Sequence, residues 1–409
     1  MHRNHPMVSL VWLAILGIGS SDPPASAGKD GGRGTAEVKV LATPEGGLQP
    51  QAAIDDQGVI HLVYFKGDPA GGDLFYARLE PGAGRFSPPV RVNSQPGSAI
   101  AIGTIRGGQI AVGKAGRIHV AWNGSNGARP KNPFGSNPML NTRSDPGGKS
   151  FEPQCNLMQR TSALDGGGTI AADRAGNVYV AWHGRTEDAR PGEAGRRMWV
   201  VRSKDDGATF SAEEPTLERE TGACACCGTR ALVDRDGTLY VLYRAAVGGV
   251  DRDLYLLDSD DRAGHFRGVS LHPWRAETCP MSSAALAASE PDVLAAWETR
   301  GQVYFSRIDP GTHRAGPPIS PPGGRGDRKH PAVAGNSRGE TIIVWTEGTG
   351  WQKGGSLAWQ VFDRSGRPMG SSGRIEGGVP VWGLATVVAR PGGGFTIITS
   401  RSRAAQPEG

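Results

Sequence analysis

The sequence predicts an all-β protein. We expect a β-propeller of four-stranded blades, seven in number with six as the alternative, its ring closed by an N-terminal strand. Three observations predict it. An apolar hairpin recurs seven times. A polar motif recurs in phase with it. Gly 62 and Pro 30 in 409 residues suit a loop-rich β protein better than a helical one.

The first element is a targeting segment. "MHRNHPM" is basic, and "VSLVWLAILGIG" is apolar but too short to span a bilayer. "ASAG" then offers a small-residue cleavage site after Ala27. The expectation is a signal peptide over 1–27 and a single propeller domain over 28–409, secreted or periplasmic, with no membrane span and with disulfides permitted. "AEVKVLA" (36–42) resembles the outer strands, such as "PPVRVN" (88–93), and is expected to pair with the last blade.

The hairpins follow. They are "AAIDDQGVIHLVY" (52–64), "IAVGKAGRIHVAW" (110–122), "IAADRAGNVYVAW" (170–182), "ALVDRDGTLYVLY" (231–243), "ALAASEPDVLAAW" (285–297), "AVAGNSRGETIIVW" (332–345) and "TVVARPGGGFTIIT" (386–399). Six carry a glycine before the closing strand: Gly58, Gly116, Gly176, Gly237, Gly339 and Gly393; Pro291 stands there in the fifth. Glycine supplies the positive φ of a tight turn, and alternating strands such as "VYVAW" follow. The spacing leaves room for two more strands per unit, as a propeller requires. The closing Trp residues are expected between blades. His61, His119, Tyr240 and Tyr243 are expected as packed strand residues.

The second motif occupies the later half of each unit. "RSKDDGATF" places Ser203, Asp205, Gly207, Thr209 and Phe210 in the pattern S-x-D-x-G-x-T-F. "TRSDPGGKSF" (142–151), "DSDDRAGHF" (258–266) and "LEPGAGRF" (79–86) are looser copies. The pattern resembles the Asp-box, or BNR repeat, of the sialidase superfamily, across essentially the whole mature chain. The resemblance implies a structural turn between the third and fourth strands of a blade. Its Asp and Ser would bond the turn's backbone, and its aromatic would pack between blades.

Counting back from each turn glycine gives the start of each inner strand, where a propeller exposes its channel mouth. These starts are Gln49 and Pro50, Arg106, Asp165, Cys226 and Cys227, Cys279 to Met281, Lys329 and His330, and Trp382. "CACC" (224–227) and "CPM" (279–281) therefore fall at one height on adjacent blades. Three readings stand for Cys224, Cys226, Cys227, Cys279 and Met281. The first is a disulfide between the two stretches. The second is a soft-metal site, for copper or for zinc without the thioether. The third is a catalytic thiol served by His330 or His183. Cys155 stands apart before the third blade.

Sialidases hold a substrate carboxylate with a cluster of arginines, use a Tyr–Glu nucleophile and an Asp acid, and carry an R-I-P sequence in an early blade. Here "TIRGGQ" has Arg106 without the proline. Set against that resemblance, Arg106, Arg230 and Asp165, at or beside inner-strand starts, are the catalytic candidates, while Trp382 and His330 at their strand starts and Trp274 just before "CPM" are expected as ligand contacts.

The net charge of +5 is scattered, and "RGDRK" (325–329) reads as a solvated loop rather than a nucleic-acid surface. Asn123-Gly124-Ser125 is a formal glycosylation sequon. The combined expectation is an exported, monomeric, sialidase-like propeller. It would recognise a glycan or small polar ligand at the channel mouth, with or without hydrolysis of the exo-sialidase type. The alternative is a periplasmic copper protein using the Cys/Met cluster.

Overall fold

The computed structural model describes residues 36–400, apart from positions 104 and 325. The expected signal peptide lies outside these residues. The described chain is a seven-bladed propeller, and the six-blade alternative is excluded. Blade 1 comprises Leu48–Ile54, Ile60–Lys66, Asp73–Leu79 and Val90–Arg91. Blade 2 comprises Gly108–Val112, Ile118–Asn123, Met139–Arg143 and Cys155–Asn156. Blade 3 comprises Thr169–Ala172, Val178–Gly184, Arg197–Ser203 and Glu214–Pro215. Blade 4 comprises Arg230–Val233, Leu239–Arg244, Leu254–Ser259 and Arg267–His272. Blade 5 comprises Ala285–Ser289, Asp292–Thr299, Gln302–Asp309 and Arg314–Ala315. Blade 6 comprises Arg328–Gly335, Thr341–Glu347, Gly355–Phe362 and Pro368–Val379.

Blade 7 has three strands: Ala385–Ala389, Phe395–Thr399 and, from the N-terminal end, Val38–Ala42. The closing strand pairs with the last blade as the sequence predicts, and it runs parallel to its neighbour, with Val38 opposite Phe395 and Ala42 opposite Thr399. The first strand of each blade packs beside the first strand of the next, and Leu48–Ile54 meets Ala385–Ala389 to complete the ring.

The hydrophobic core lies between blades. Seven separate clusters occur, one at each blade junction. Trp122, Trp182 and Trp297 are among the largest fully buried side chains, so the repeat-closing tryptophans are junction wedges. A blade cannot bury both faces alone, which is why the repeats must close on each other. The turn glycines Gly58, Gly116, Gly176, Gly237, Gly339 and Gly393 all have positive φ.

The Asp-box forms as its pattern predicts. Ser203 Oγ donates to Asp205 Oδ1 at 2.7 Å and accepts from Gly207 N at 2.9 Å. The Asp205 carboxylate takes Thr209 N at 2.9 Å and Thr209 Oγ1 at 2.6 Å. Phe210 packs against the junction of blades 2 and 3. Ser259, Asp261 and Phe266 repeat the arrangement in blade 4. These turns and the hairpin glycines share one end of the propeller, because strands alternate in direction. The starts of the inner strands lie at the other.

The expectation for "RGDRK" needs correcting. Gly326 and Asp327 are exposed, but Arg328 is buried. Its guanidinium stacks over Trp345 and pairs with Glu347. The sequon is a strand position. Asn123 is buried, and its amide donates to Asp165 O at 2.7 Å.

Candidate functional site

The inner-strand starts share a backbone device. Gln49 (φ 49), Met281 (φ 47), His330 (φ 52) and Trp382 (φ 56) all adopt the left-handed conformation, as Gly107 (φ 74) and Gly167 (φ 77) do in blades 2 and 3. For a residue with a Cβ this costs about 1 kcal/mol or more. Four blades therefore retain a side chain where glycine would be the unstrained choice, and strain of this kind clusters at functional sites. In blade 4 the matching Gly228 lacks the positive φ, and the thiol-rich stretch replaces the device.

Three of these residues, Met281, His330 and Trp382, lie on a pocket of about 200 Å³. Arg106, Asp165, Cys226, Met281, His330 and Trp382 all line it, at the places counted from the repeat. Lys329 and Trp351 complete the wall. Arg106 is clamped: Nε donates to Asp165 O at 2.8 Å, and its terminal nitrogens bond the Asp165 carboxylate and Ile102 O.

Lys329 Nζ donates to Pro280 O at 3.1 Å, and Arg230 Nη1 donates to Thr229 O at 2.8 Å. Among the described residues neither cation has a carboxylate within 4 Å, and Arg230 lies outside the pocket lining. Burial lowers Arg230 to about 10, so it stays charged at neutral pH. Burial, then Lys329 and Arg230, push His330 down to about 3, and the ring is neutral.

Several buried polar atoms at this end lack a partner: Gln49 Oε1, His330 Nδ1, Trp382 Nε1 and both ring nitrogens of His183. Burying such atoms unpaired costs about 1–3 kcal/mol each, so a site with several is prepared for a ligand or water. Trp351 is 53% exposed, and its ring meets the Trp382 edge at a centroid separation of 6.3 Å.

The sulfurs converge beside this pocket. Cys226 and Cys279 form a disulfide between the inner-strand starts of blades 4 and 5, with a Cα separation of 6.6 Å. Cys224 Sγ lies 3.2 Å from Cys227 Sγ, 3.6 Å from Cys226 Sγ and 3.8 Å from Cys279 Sγ. Cys224 and Cys227 are buried free thiols. The hydrogen bond between them, with burial, raises Cys224 far above the ordinary thiol range. Burial opposes the Cys227 thiolate too, but the same hydrogen bond and nearby Arg244 carry Cys227 below that range. Glu193 stands beside them, accepting from Ala225 N at 2.7 Å and pairing with Arg252 at 2.5 Å.

Other sequence candidates fall elsewhere. Trp274 is outside the pocket lining; Arg244 stacks over its ring at 5.0 Å. Cys155 is on the outer strand of blade 2, with its thiol toward Asn141 O. His61 bonds Tyr76 and Asp55, and His119 bonds Asp206, as packed strand residues do. Tyr243 bonds Thr221, and Tyr240 is buried. Trp351 is the residue that sequence reasoning missed. It lies in a loop between the second and third strands of blade 6, outside the repeat used for counting.

Fold and mouth together define a seven-bladed propeller whose channel mouth is cationic, aromatic and walled on one side by sulfur. No protein-family model matches the sequence, and no curated protein matches it. Solved structures match in fold. A protein of unknown function from Dyadobacter fermentans DSM 18053 aligns over 78% of this chain and 95% of its own, with 16% identity and a TM-score of 0.51. The α-L-arabinanase of Penicillium chrysogenum, complexed with arabinobiose, aligns over 81% and 98%, with 13% identity and a TM-score of 0.51. The sialidase of Trypanosoma rangeli, complexed with the inhibitor DANA, aligns over 76% of this chain and 54% of its own, with 13% identity and a TM-score of 0.50. At these identities the likeness is one of fold, and it agrees with the propeller that the repeats predict.

Proposed function

We propose that the protein is an exported propeller that binds a carboxylate-bearing saccharide at its channel mouth without cleaving it. One observation carries the reading. Lys329, which has no carboxylate within 4 Å among the described residues, lines the mouth with the Trp351–Trp382 pair, and Arg230, likewise unpaired, lies behind the lining close to His330. Guanidinium and ammonium groups recognise a carboxylate by charge-assisted hydrogen bonds, and exposed indole faces cover the apolar face of a sugar ring. The unpaired polar atoms of His330 and Trp382, both in the lining, supply further contacts. Export rests on the leader-like N-terminus, and the Cys226–Cys279 disulfide suits an oxidising compartment.

Binding without cleavage follows from the acids. Glycoside hydrolysis commonly takes a pair of carboxyl groups, or a tyrosine nucleophile in sialidases. Asp165 is the one carboxylate among the described residues lining the pocket, it is tied to Arg106, and no tyrosine joins it.

The test is titration with a uronic-acid trisaccharide and sialyllactose, against neutral cellotriose. An acidic sugar should bind, more weakly as salt rises, and Lys329→Ala or Arg230→Ala should weaken it tenfold or more. A fluorogenic sialoside should release no aglycone between about pH 4 and 8. Equal binding of the neutral sugar would overturn the charge reading, and turnover would overturn the non-catalytic one.

A further inference from the structure

The cysteine cluster holds more sulfur than its disulfide uses. Cys224 is the centre of the group, with its three neighbours at 3.2, 3.6 and 3.8 Å. Four sulfurs about 2.3 Å from a tetrahedral metal ion are separated by edges of about 3.8 Å. The Cys224 distances are close to that edge. Cys224, Cys226 and Cys227 have ligand atoms within 4.8 Å of one another, and so do Glu193, Cys224 and Cys279. The bonded pair, Cys226 and Cys279, departs from the pattern, and Cys227 and Cys279 share no group within 4.8 Å. Opening the bond frees Cys279, which moves toward Cys227 to close the tetrahedron.

The surroundings favour such a site. Cys224 and Cys227 are 2% and 3% exposed, so half of the donor set is already withdrawn from water. Both cysteine stretches are fixed by backbone bonds: Cys224 N donates to Arg244 O at 2.9 Å, and Gly228 N donates to Ser282 O at 2.9 Å, which ties the two stretches together. Arg252 and Arg244 lie close enough to offset the charge of several thiolates. A single disulfide requires two cysteines and explains neither Cys224 nor Cys227.

We propose that Cys224, Cys226, Cys227 and Cys279 form a reduction-gated site for one thiophilic metal ion, of the Zn²⁺ or Cu(I) class. A dithiol reductant opens the Cys226–Cys279 bond, giving two electrons and two protons and leaving as its own disulfide. Four thiols then stand around one point, and binding the ion releases their protons. With the bond closed, only two thiols remain and the four-sulfur site does not exist. The cluster forms one wall of the mouth through Cys226, yet the site does not depend on the saccharide reading.

The experiment uses the full mature chain in a Cys155→Ser background, which removes the thiol outside the cluster. One portion is left oxidised. The other is reduced with a dithiol and desalted without oxygen. Each receives Zn²⁺ or Cu(I) in separate arms, and metal is measured after a second desalting. The reduced chain should retain about one ion, with metal–sulfur distances near 2.3 Å by X-ray absorption. The oxidised chain should retain less than a tenth as much, and reduced Cys224→Ser should lose at least tenfold in affinity. If both ions bind, competition between them sets the preference. If reduction alone unfolds the chain, one equivalent of metal should restore its circular dichroism. A folded reduced chain that retains no ion, or an unfolded one that metal does not rescue, overturns the proposal. So does Cys224→Ser that binds as well as its parent. None of these results alters sugar binding by the oxidised chain, so the two proposals fail separately.

Discussion

The Asp-box turns and the mouth of the propeller handle polar groups in opposite ways. In the Asp-box turns the side chains that build the turn are paired: Asp205 takes Ser203 and Thr209, and Asp261 takes Ser259 and His265, although other buried atoms at that end, such as His119 Nδ1 and Asp234 Oδ2, have no partner. Positive φ in the hairpin turns there falls largely on glycine. At the mouth the same scaffold leaves Gln49, His183, His330 and Trp382 with unpaired buried atoms and puts side chains on left-handed backbone. The box turns satisfy themselves and contribute stability. The mouth carries cost in the free state, which a ligand can relieve.

The largest expected effect is that of acid, which reaches both ends. Burial lowers His119 to about 4, and His183 and His330 to about 3. Below the unfolded value near 6.5 the unfolded chain takes up protons that the native rings refuse, so stability falls as pH drops toward 4. The slope is about 1.4 kcal/mol per pH unit for each such histidine. Urea melts at pH 7, 5.5 and 4.5 read it directly, and a flat profile would contradict buried neutral rings. His183→Gln and His330→Gln should flatten the slope while His61→Gln leaves most of it.

Smaller effects separate the ends. Trp182→Ala empties a blade junction and should cost about 3–5 kcal/mol in urea unfolding. Asp205→Ala removes the centre of a saturated turn and should cost about 1 kcal/mol while leaving sugar affinity within twofold. A large loss of affinity there would abolish the division between the ends. The smallest effect has the opposite sign. Met281→Gly relieves left-handed strain and should leave the chain as stable or up to about 1 kcal/mol more stable. A clear destabilisation would mean that the Met281 side chain is there for packing.

Legibility in the sequence follows the same division. The hairpins, the box and the closing strand are written in local patterns, because turn chemistry and strand alternation act over a few residues. The register of the inner strands follows from them, and it brings Arg106, Asp165, Met281, His330 and Trp382 to one mouth by counting alone. Trp351 escapes the count because a loop of no fixed length brings it to the mouth. Arg328 reads as solvated in the sequence because its cover, Trp345 and Glu347, belongs to the next strand of the blade. The central position of Cys224 among four sulfurs is equally hidden, since spacing along the chain gives neighbours but not distances.

The central claim is that the mouth is built for an anionic sugar, and one comparison tests it most directly. Binding of a uronic-acid trisaccharide is measured by calorimetry beside binding of its methyl ester, which keeps the ring and removes the charge. The expected result is at least tenfold tighter binding of the acid, about 1.4 kcal/mol or more, with the difference lost in Lys329→Ala. Equal affinity for acid and ester, or a preference that survives Lys329→Ala together with Arg230→Ala, would contradict it.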